Sequence, residues 1–162
     1  MRIIAIDPGY ERIGIAILEK TNNQKETVVY SDCFKTSAKL PFYDRLILIG
    51  TEISRVIDEF LPKAMAVETL FFSTNQKTAM QVSEARGVII HEACRKGLKI
   101  FEHNPMEIKL AVTGDGKSDK TNIIRMIPML VKITKEIKHD DEYDAVAVGL
   151  TCFAVNMAQL RD

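Results

Sequence analysis

The chain has 162 residues, the length of one ordinary domain. With 46% apolar and 27% charged residues it has the composition of a globular protein, which excludes a disordered chain, a collagen-like repeat and a small disulfide scaffold. The 22 Lys and Arg side chains balance the 22 Asp and Glu side chains, and this neutrality argues weakly against nucleic acid as a partner.

Three short β-rich segments open the chain. They cover residues 2–7, 13–19 and 28–34, and the first ends at the turn-forming pair Pro8-Gly9. Because the connections between the three segments are short, they predict an antiparallel meander of three consecutive strands.

Helices then alternate with strands. Between residues 41 and 60 the apolar residues recur three and four positions apart, which predicts an amphipathic helix. A short buried strand (64–68), a long helix (75–96) and another strand (98–102) follow. Gly97 suits the end of the long helix, since glycine readily adopts the left-handed backbone conformation found there.

Three further helices complete the predicted order. Asn104 caps the first of them, and the glycines within residues 114–116 end it. Ser118 can cap the second, which Pro128 must end or kink because proline lacks an N–H donor and clashes with the preceding turn. The third runs from about residue 141 to residue 158. This order predicts a mixed α/β layer structure with one sheet.

The chain is predicted to be a cytoplasmic protein with one domain, residues 1–162, because it has no linker and no internal repeat. No apolar run reaches the length of about 18 residues that spans a membrane, and the first seven residues lack the length and cleavage site of a signal peptide. Cys33, Cys94 and Cys152 are odd in number and lie among apolar neighbours, as reduced packing residues do. We therefore expect no membrane partner.

The charges are unevenly distributed along the chain. Residues 95–138 carry 10 basic and 5 acidic side chains, whereas residues 139–162 carry 1 basic and 5 acidic side chains. A solvated basic face beside the acidic start of a helix accounts for this pattern, and so does a surface that contacts phosphate.

Four carboxylates lie in apolar surroundings. Asp7 and Glu68 each end an apolar strand, and Asp141 and Asp144 are three positions apart and share a face of the last helix. Burying a carboxylate costs several kcal/mol unless it is paired, hydrogen-bonded or bound to metal. Carboxylate oxygens suit Mg²⁺, and two such ions about 3.5–4 Å apart can bracket a phosphodiester.

Each carboxylate also has an ordinary structural explanation. Asp7 suits a turn, Glu68 suits a cap or an ion pair, and the acidic residues near Asp141 favour the positive end of a helix dipole. The spacing alone does not bring the four side chains together.

Six segments, in a fixed order and spread over nearly the whole chain, carry a family resemblance. They are residues 6–9 (Ile-Asp-Pro-Gly) with Gly14, residues 67–72, residues 83–87 (Ser-Glu-Ala-Arg-Gly), residues 101–109, residues 114–120 and residues 141–145 (Asp-Glu-Tyr-Asp-Ala). This ordered set resembles the RuvC family of bacterial crossover junction endodeoxyribonucleases, the Holliday junction resolvases of DNA recombination and repair.

The resemblance implies an α/β, RNase H-like fold, with a five-stranded mixed sheet flanked by helices on both faces. It implies a homodimer that makes paired symmetric nicks in four-way junction DNA by hydrolysis of phosphodiesters with two metal ions. Two Mg²⁺ ions per active site are expected, with Mn²⁺ as a possible substitute. The expected partner is the RuvA and RuvB branch-migration complex.

The resemblance also implies roles for individual residues. Catalysis and metal binding are assigned to Asp7, Glu68, Asp141 and Asp144. DNA binding is assigned to Lys109, Lys120, Phe71, Phe72, Lys117 and Arg86. Of these, Phe71 suits stacking on unpaired bases, whereas Phe72 equally suits a hydrophobic staple for the following helix.

Two departures from the family pattern affect the expected DNA path. Asp115 places a negative charge in the loop of residues 114–116, and Pro128 interrupts a helix that is usually continuous. Three other functions stay open: an actin-like kinase or ATPase, a non-catalytic junction-binding protein, and another RNase H-like nuclease acting on RNA or flaps. The first needs a second domain, which this length does not supply.

Overall fold

The structure, a computed structural model, describes residues 1–21, 24–70 and 76–161. Six strands and five helices are formed within these residues. In chain order they are β1 (Arg2–Asp7), β2 (Arg12–Glu19), β3 (Thr27–Lys35), α1 (Phe42–Phe60), β4 (Ala64–Glu68), α2 (Gln76–Arg95), β5 (Lys99–His103), α3 (Pro105–Thr113), α4 (Lys120–Leu130), β6 (Lys132–Ile133) and α5 (Asp140–Arg161).

The strands form one mixed sheet in the order β5-β4-β1-β2-β3-β6. β1, β2 and β3 are antiparallel neighbours, which confirms the predicted meander. β4 pairs in parallel with β1, and β5 pairs in parallel with β4. The expected five strands are present, and β6 adds a sixth that pairs in parallel with the start of β3. β6 is two residues long, and so short a strand has no alternating pattern in the sequence.

Helices cover both faces of the sheet because successive strand side chains point to opposite faces. In β1, Ile3 and Ala5 face the core beneath α3, α4 and α5, whereas Ile4 and Ile6 face the core beneath α1 and α2. Both cores are closed, since all four of these side chains are fully buried. The fold expected from the sequence is confirmed.

The helix α5 is the central element of one core. Its residues Asp140–Leu160 are long and apolar enough to cross a membrane by length and composition. However, Val146, Val148 and Cys152 are completely buried against the sheet. The apolar composition is therefore that of a core helix. α5 also runs three residues beyond its predicted end, because Leu160 is still part of this core.

One helix start differs from the prediction, and two other predicted helix ends agree with it. Asp119 caps α4, with its side chain accepting a hydrogen bond from the N–H of Asn122, so the assignment of the cap to Ser118 was wrong by one residue. Pro128 lies in the last turn of α4, and the helix ends two residues later at Leu130, as expected for a residue that lacks an N–H donor. Gly97, with φ of 76°, takes the left-handed conformation predicted for it.

Candidate active site

Three carboxylates face one cavity at an edge of the sheet. Asp7 ends β1, Glu68 ends the parallel neighbour β4, and Asp144 lies near the start of α5. Because parallel neighbours end at the same edge of a sheet, β1 and β4 bring Asp7 and Glu68 together. With Lys109 and Lys120, the three carboxylates line a cavity of about 320 Å³.

Gly14 allows α5 to lie close to this edge. It pairs with Asp7 across β1 and β2. A Cβ atom at position 14 would lie 2.0 Å from the backbone oxygen of Asp141 and 3.2 Å from the Cβ of Asp7. Only glycine therefore fits beneath the first turn of α5, and its lack of a side chain brings the acidic residues of that turn up to Asp7.

The carboxylates that line the cavity outnumber its lysines and repel one another. Burial, and then repulsion from Glu68, Asp144 and Asp141, raises the pKa of Asp7 well above its ordinary value. Burial and repulsion from Asp144 raise the pKa of Glu68 to about 7. Burial also raises the pKa of Asp144, despite an opposing hydrogen bond from Lys120. A bound cation would relieve this repulsion.

The two predicted lysines lie inside the site. The Nζ of Lys120 donates a hydrogen bond to Asp144 Oδ2 over 2.8 Å and lies 3.6 Å from Asp140 Oδ2. Lys109 lies on α3 and lines the same cavity, where its charge opposes the rise in the pKa of Glu68. Both amines are therefore placed where a phosphate entering the cavity would meet them.

Asp141, the fourth predicted carboxylate, is not among the residues that line the cavity. Its Oδ2 accepts hydrogen bonds from Arg12, over 3.1 Å from Nε and also from Nη2, and from the Cys33 thiol over 3.4 Å. Although partial burial acts in the opposite direction, these hydrogen bonds hold the pKa of Asp141 below its ordinary value. Sequence reasoning missed Arg12 and Cys33, because they lie more than 100 residues away from Asp141 along the chain.

Glu142 anchors the start of α5, and sequence reasoning missed this role too. Its side chain is 2% exposed. It accepts a hydrogen bond from the Ser31 hydroxyl over 2.6 Å, and others from the backbone N–H groups of Lys138 and His139. The bond from His139, three residues earlier, has capping-box spacing, which the sequence does display. The anchor fixes the turn that carries Asp141 and Asp144.

The remaining predicted DNA-binding residues lie in different settings. Arg86 donates from Nε to the backbone oxygen of Glu68 over 3.1 Å and forms an ion pair with Glu102 at 3.1 Å. Its guanidinium thus holds the end of β4, and the structure gives it a partner other than DNA. Lys117 is exposed in the turn before α4. Phe71 and Phe72 lie outside the described residues.

The donor atoms of the site fit a hard divalent cation. Asp7, Glu68 and Asp144 supply carboxylate oxygens, the ligands that Mg²⁺ prefers. Within the described ranges, no group of three or more His, Cys, Asp or Glu side chains is close enough to hold an ion by itself. Mg²⁺ does not require such a cluster, since it usually takes one or two carboxylates and completes its shell with water and substrate phosphate.

Comparison with known sequences assigns the family. The sequence model described as "Crossover junction endodeoxyribonuclease RuvC" matches residues 3–152. The chain belongs to the RuvC family of crossover junction endodeoxyribonucleases. A family protein from Finegoldia magna is 43% identical over 150 residues, covering 93% of this chain and 91% of the relative. One from Thermosipho melanesiensis is 41% identical over 155 residues, covering 96% and 98%.

Solved RuvC structures have the same fold. Thermus thermophilus RuvC superposes with a TM-score of 0.86 at 27% identity, covering 98% of this chain and 97% of the other. The structure described as T. thermophilus RuvC in complex with Holliday junction substrate gives a TM-score of 0.88 at 27% identity, covering 98% and 96%. The RNase H-like fold expected from the sequence is confirmed.

Family membership settles the class of activity. The chain is an endonuclease, a metal-dependent hydrolase that binds and resolves Holliday junctions in DNA recombination and repair. The kinase and the non-catalytic alternatives are thereby excluded. The inference from zero net charge against a nucleic-acid partner was wrong.

Proposed function

We propose that this chain cuts junction DNA at the cavity between β1, β4 and α5, with two Mg²⁺ ions bound by Asp7, Glu68, Asp141 and Asp144. Mn²⁺ is expected to substitute. The observation that supports this proposal is the convergence of three carboxylates, with raised pKa values, and two lysines on one cavity. The carboxylates can bind cations, and the cations together with the lysines can bind a phosphodiester.

When bound, the ions supply an activated water and stabilise the departing 3′ oxygen. The chain's own residues hold this arrangement in place. Asp7 and Glu68 are fixed by strands, which place ligands more rigidly than loops do. Lys109 and Lys120 present positive charge from α3 and α4 where negative charge develops on the phosphate. The expected products are nicks with a 5′-phosphate and a 3′-hydroxyl.

We propose that the active form is a homodimer, because two opposed strands of a junction are cut symmetrically only if two sites act together. Its interface is proposed on the outer face of α1. Tyr43 is 75% exposed and Ile47 is 67% exposed, one helical turn apart on α1, and Ile47 also lines a groove between α1 and α2. Contiguous exposed apolar side chains are typical of association sites. Light scattering tests both points: the wild-type chain should have the mass of a dimer, and Ile47→Asp, which places a charge on the proposed face, should have the mass of a monomer.

We also propose that residues 1–162 act as one domain in the cytoplasm and receive their substrate from the RuvA and RuvB branch-migration complex. All five described helices contribute residues to the two cores on either side of a single sheet, which supports one domain. The free thiols of Cys33 and Cys152, both buried in the protein, agree with a reducing compartment.

The test compares cleavage of a four-way junction, a linear duplex, a flap and an RNA–DNA hybrid in the presence of Mg²⁺. Paired symmetric nicks in the junction alone are expected from the wild-type chain. Asp7→Asn should abolish cleavage while junction binding persists, since it removes a ligand oxygen and one negative charge from the cavity. Cleavage of the junction by this variant at the wild-type rate would refute the assignment of the metal site.

A further inference from the structure

The carboxylate of Asp141 is bonded to β2 and β3 and does not line the cavity. All three of its side-chain donors, Nε and Nη2 of Arg12 and Sγ of Cys33, bond to the same atom, Oδ2. Asp144, one turn further along α5, instead lines the cavity. The backbone of Asp141 is nevertheless close to Asp7, because a Cβ at Gly14 would lie 2.0 Å from the Asp141 backbone oxygen and 3.2 Å from the Asp7 Cβ.

We propose that Arg12 is a positioning residue that competes with the metal ion for the carboxylate of Asp141. This inference rests on the proposed role of Asp141 as a metal ligand. With the ion absent, Arg12 neutralises Asp141 and holds its carboxylate at β2. When an ion binds, Asp141 exchanges Arg12 for the ion, and the guanidinium is released at the rim of the site.

The two partners oppose each other for a physical reason. A guanidinium and a divalent cation repel, and a carboxylate that Arg12 already neutralises attracts a cation less strongly. Breaking the ion pair between Arg12 and Asp141 also costs little free energy. Arg12 is 49% exposed at the side chain and Asp141 is 20% exposed, and ion pairs of this kind are weak in water.

Lys35 provides a matched control. Lys35 lies directly opposite Arg12 in the pairing of β2 with β3, so the two positive side chains extend from neighbouring backbone positions. Its Nζ lies 3.2 Å from Nε2 of His139 and makes no hydrogen bond to Asp141. Lys35→Gln therefore measures how much the loss of a nearby positive charge alone changes cation affinity. Arg12→Gln removes a charge and, in addition, the hydrogen bonds to Asp141.

The experiment measures Mn²⁺ affinity of the DNA-free protein by calorimetry, so it does not depend on cleavage. Arg12→Gln should tighten Mn²⁺ binding by about twofold to fivefold, the range expected when a weak competing ion pair is removed. Lys35→Gln should change the affinity less. In an Asp141→Asn background, Arg12→Gln should have no further effect. Circular dichroism confirms that each variant is folded.

The inference is overturned if Arg12→Gln leaves Mn²⁺ affinity unchanged or weakens it. It is equally overturned if Lys35→Gln has the same effect, or if the effect of Arg12→Gln persists beside Asp141→Asn. The proposed function is tested separately by Asp141→Asn alone. If this variant binds Mn²⁺ as tightly as the wild type, Asp141 is not a ligand, and the proposed metal set and the inference fail together.

Discussion

Gly14→Ala should disable the enzyme without touching any charged residue. The added Cβ would lie 2.0 Å from the backbone oxygen of Asp141, whereas an ordinary carbon–oxygen contact is about 3.3 Å. The first turn of α5 must therefore move by about 1.3 Å. Glu142 resists this movement, because it bonds that turn to Ser31 on β3.

The expected magnitudes follow from this displacement. A misplacement of about 1 Å in a catalytic site costs about 100-fold in rate, so cleavage by Gly14→Ala should fall by at least about this factor. Overpacking costs about 1–3 kcal/mol, which lowers the Tm of a chain of this length by about 2–12 °C. Junction binding should weaken much less than cleavage, since Gly14 carries no side chain that could contact DNA.

The assay combines single-turnover junction cleavage in Mg²⁺, junction affinity and thermal unfolding. Gly87→Ala is the control, because a Cβ at Gly87 meets nothing within 4 Å. Alanine in that helix should leave cleavage unchanged and stabilise the fold by about 0.5–1 kcal/mol. If Gly14→Ala retained both wild-type cleavage and wild-type Tm, the close approach of α5 to β2 would not be what places the acidic residues.

Three further predictions concern single side chains. Glu142→Gln should destabilise the fold by about 1.5–3 kcal/mol, measured by urea unfolding, because it removes the buried negative charge and leaves one acceptor oxygen where two are used; an unchanged midpoint would contradict the anchor. Since the pKa of Glu68 is raised to about 7, its contribution to stability is full below about pH 4.5 and is lost as the pH rises to 7. The Tm difference between wild type and Glu68→Gln, measured without metal, should therefore change across this window, and a constant difference would argue against a raised pKa. Lys120→Ala removes the counterion of Asp144, so cleavage should fall and the salt dependence of junction binding should flatten by about one phosphate contact; an unchanged slope together with unchanged cleavage would exclude Lys120 from the site.

The net charge shows how a whole-chain sum misleads. The sum is zero, but acidic side chains such as Asp7, Glu68 and Asp144 are gathered in one cavity, with Lys109 and Lys120 beside them. A sum over the chain cannot separate charges that bind a cation from charges that face a partner. The uneven distribution along the sequence was the more informative observation.

The sequence by itself determined the local structure. The bounds of β1 and β4 were predicted exactly, because short apolar runs ending at a polar residue are strong local patterns. The same patterns placed Asp7 and Glu68 at strand ends and Asp141 and Asp144 on one helix. The ordered motifs also determined the family, and hence the class of reaction.

Only the tertiary structure decided which of these residues share a cavity. Asp141 and Asp144 have equivalent positions in the sequence pattern, yet packing turns Asp144 toward Lys120 and Asp141 toward Arg12. DNA binding by Arg86 stays a prediction, and the structure adds a hydrogen bond from Arg86 to the backbone oxygen of Glu68 at the end of β4. These contacts join side chains far apart along the chain, and their geometry is set by how α5 and α2 pack on the sheet, which no local pattern of residues encodes.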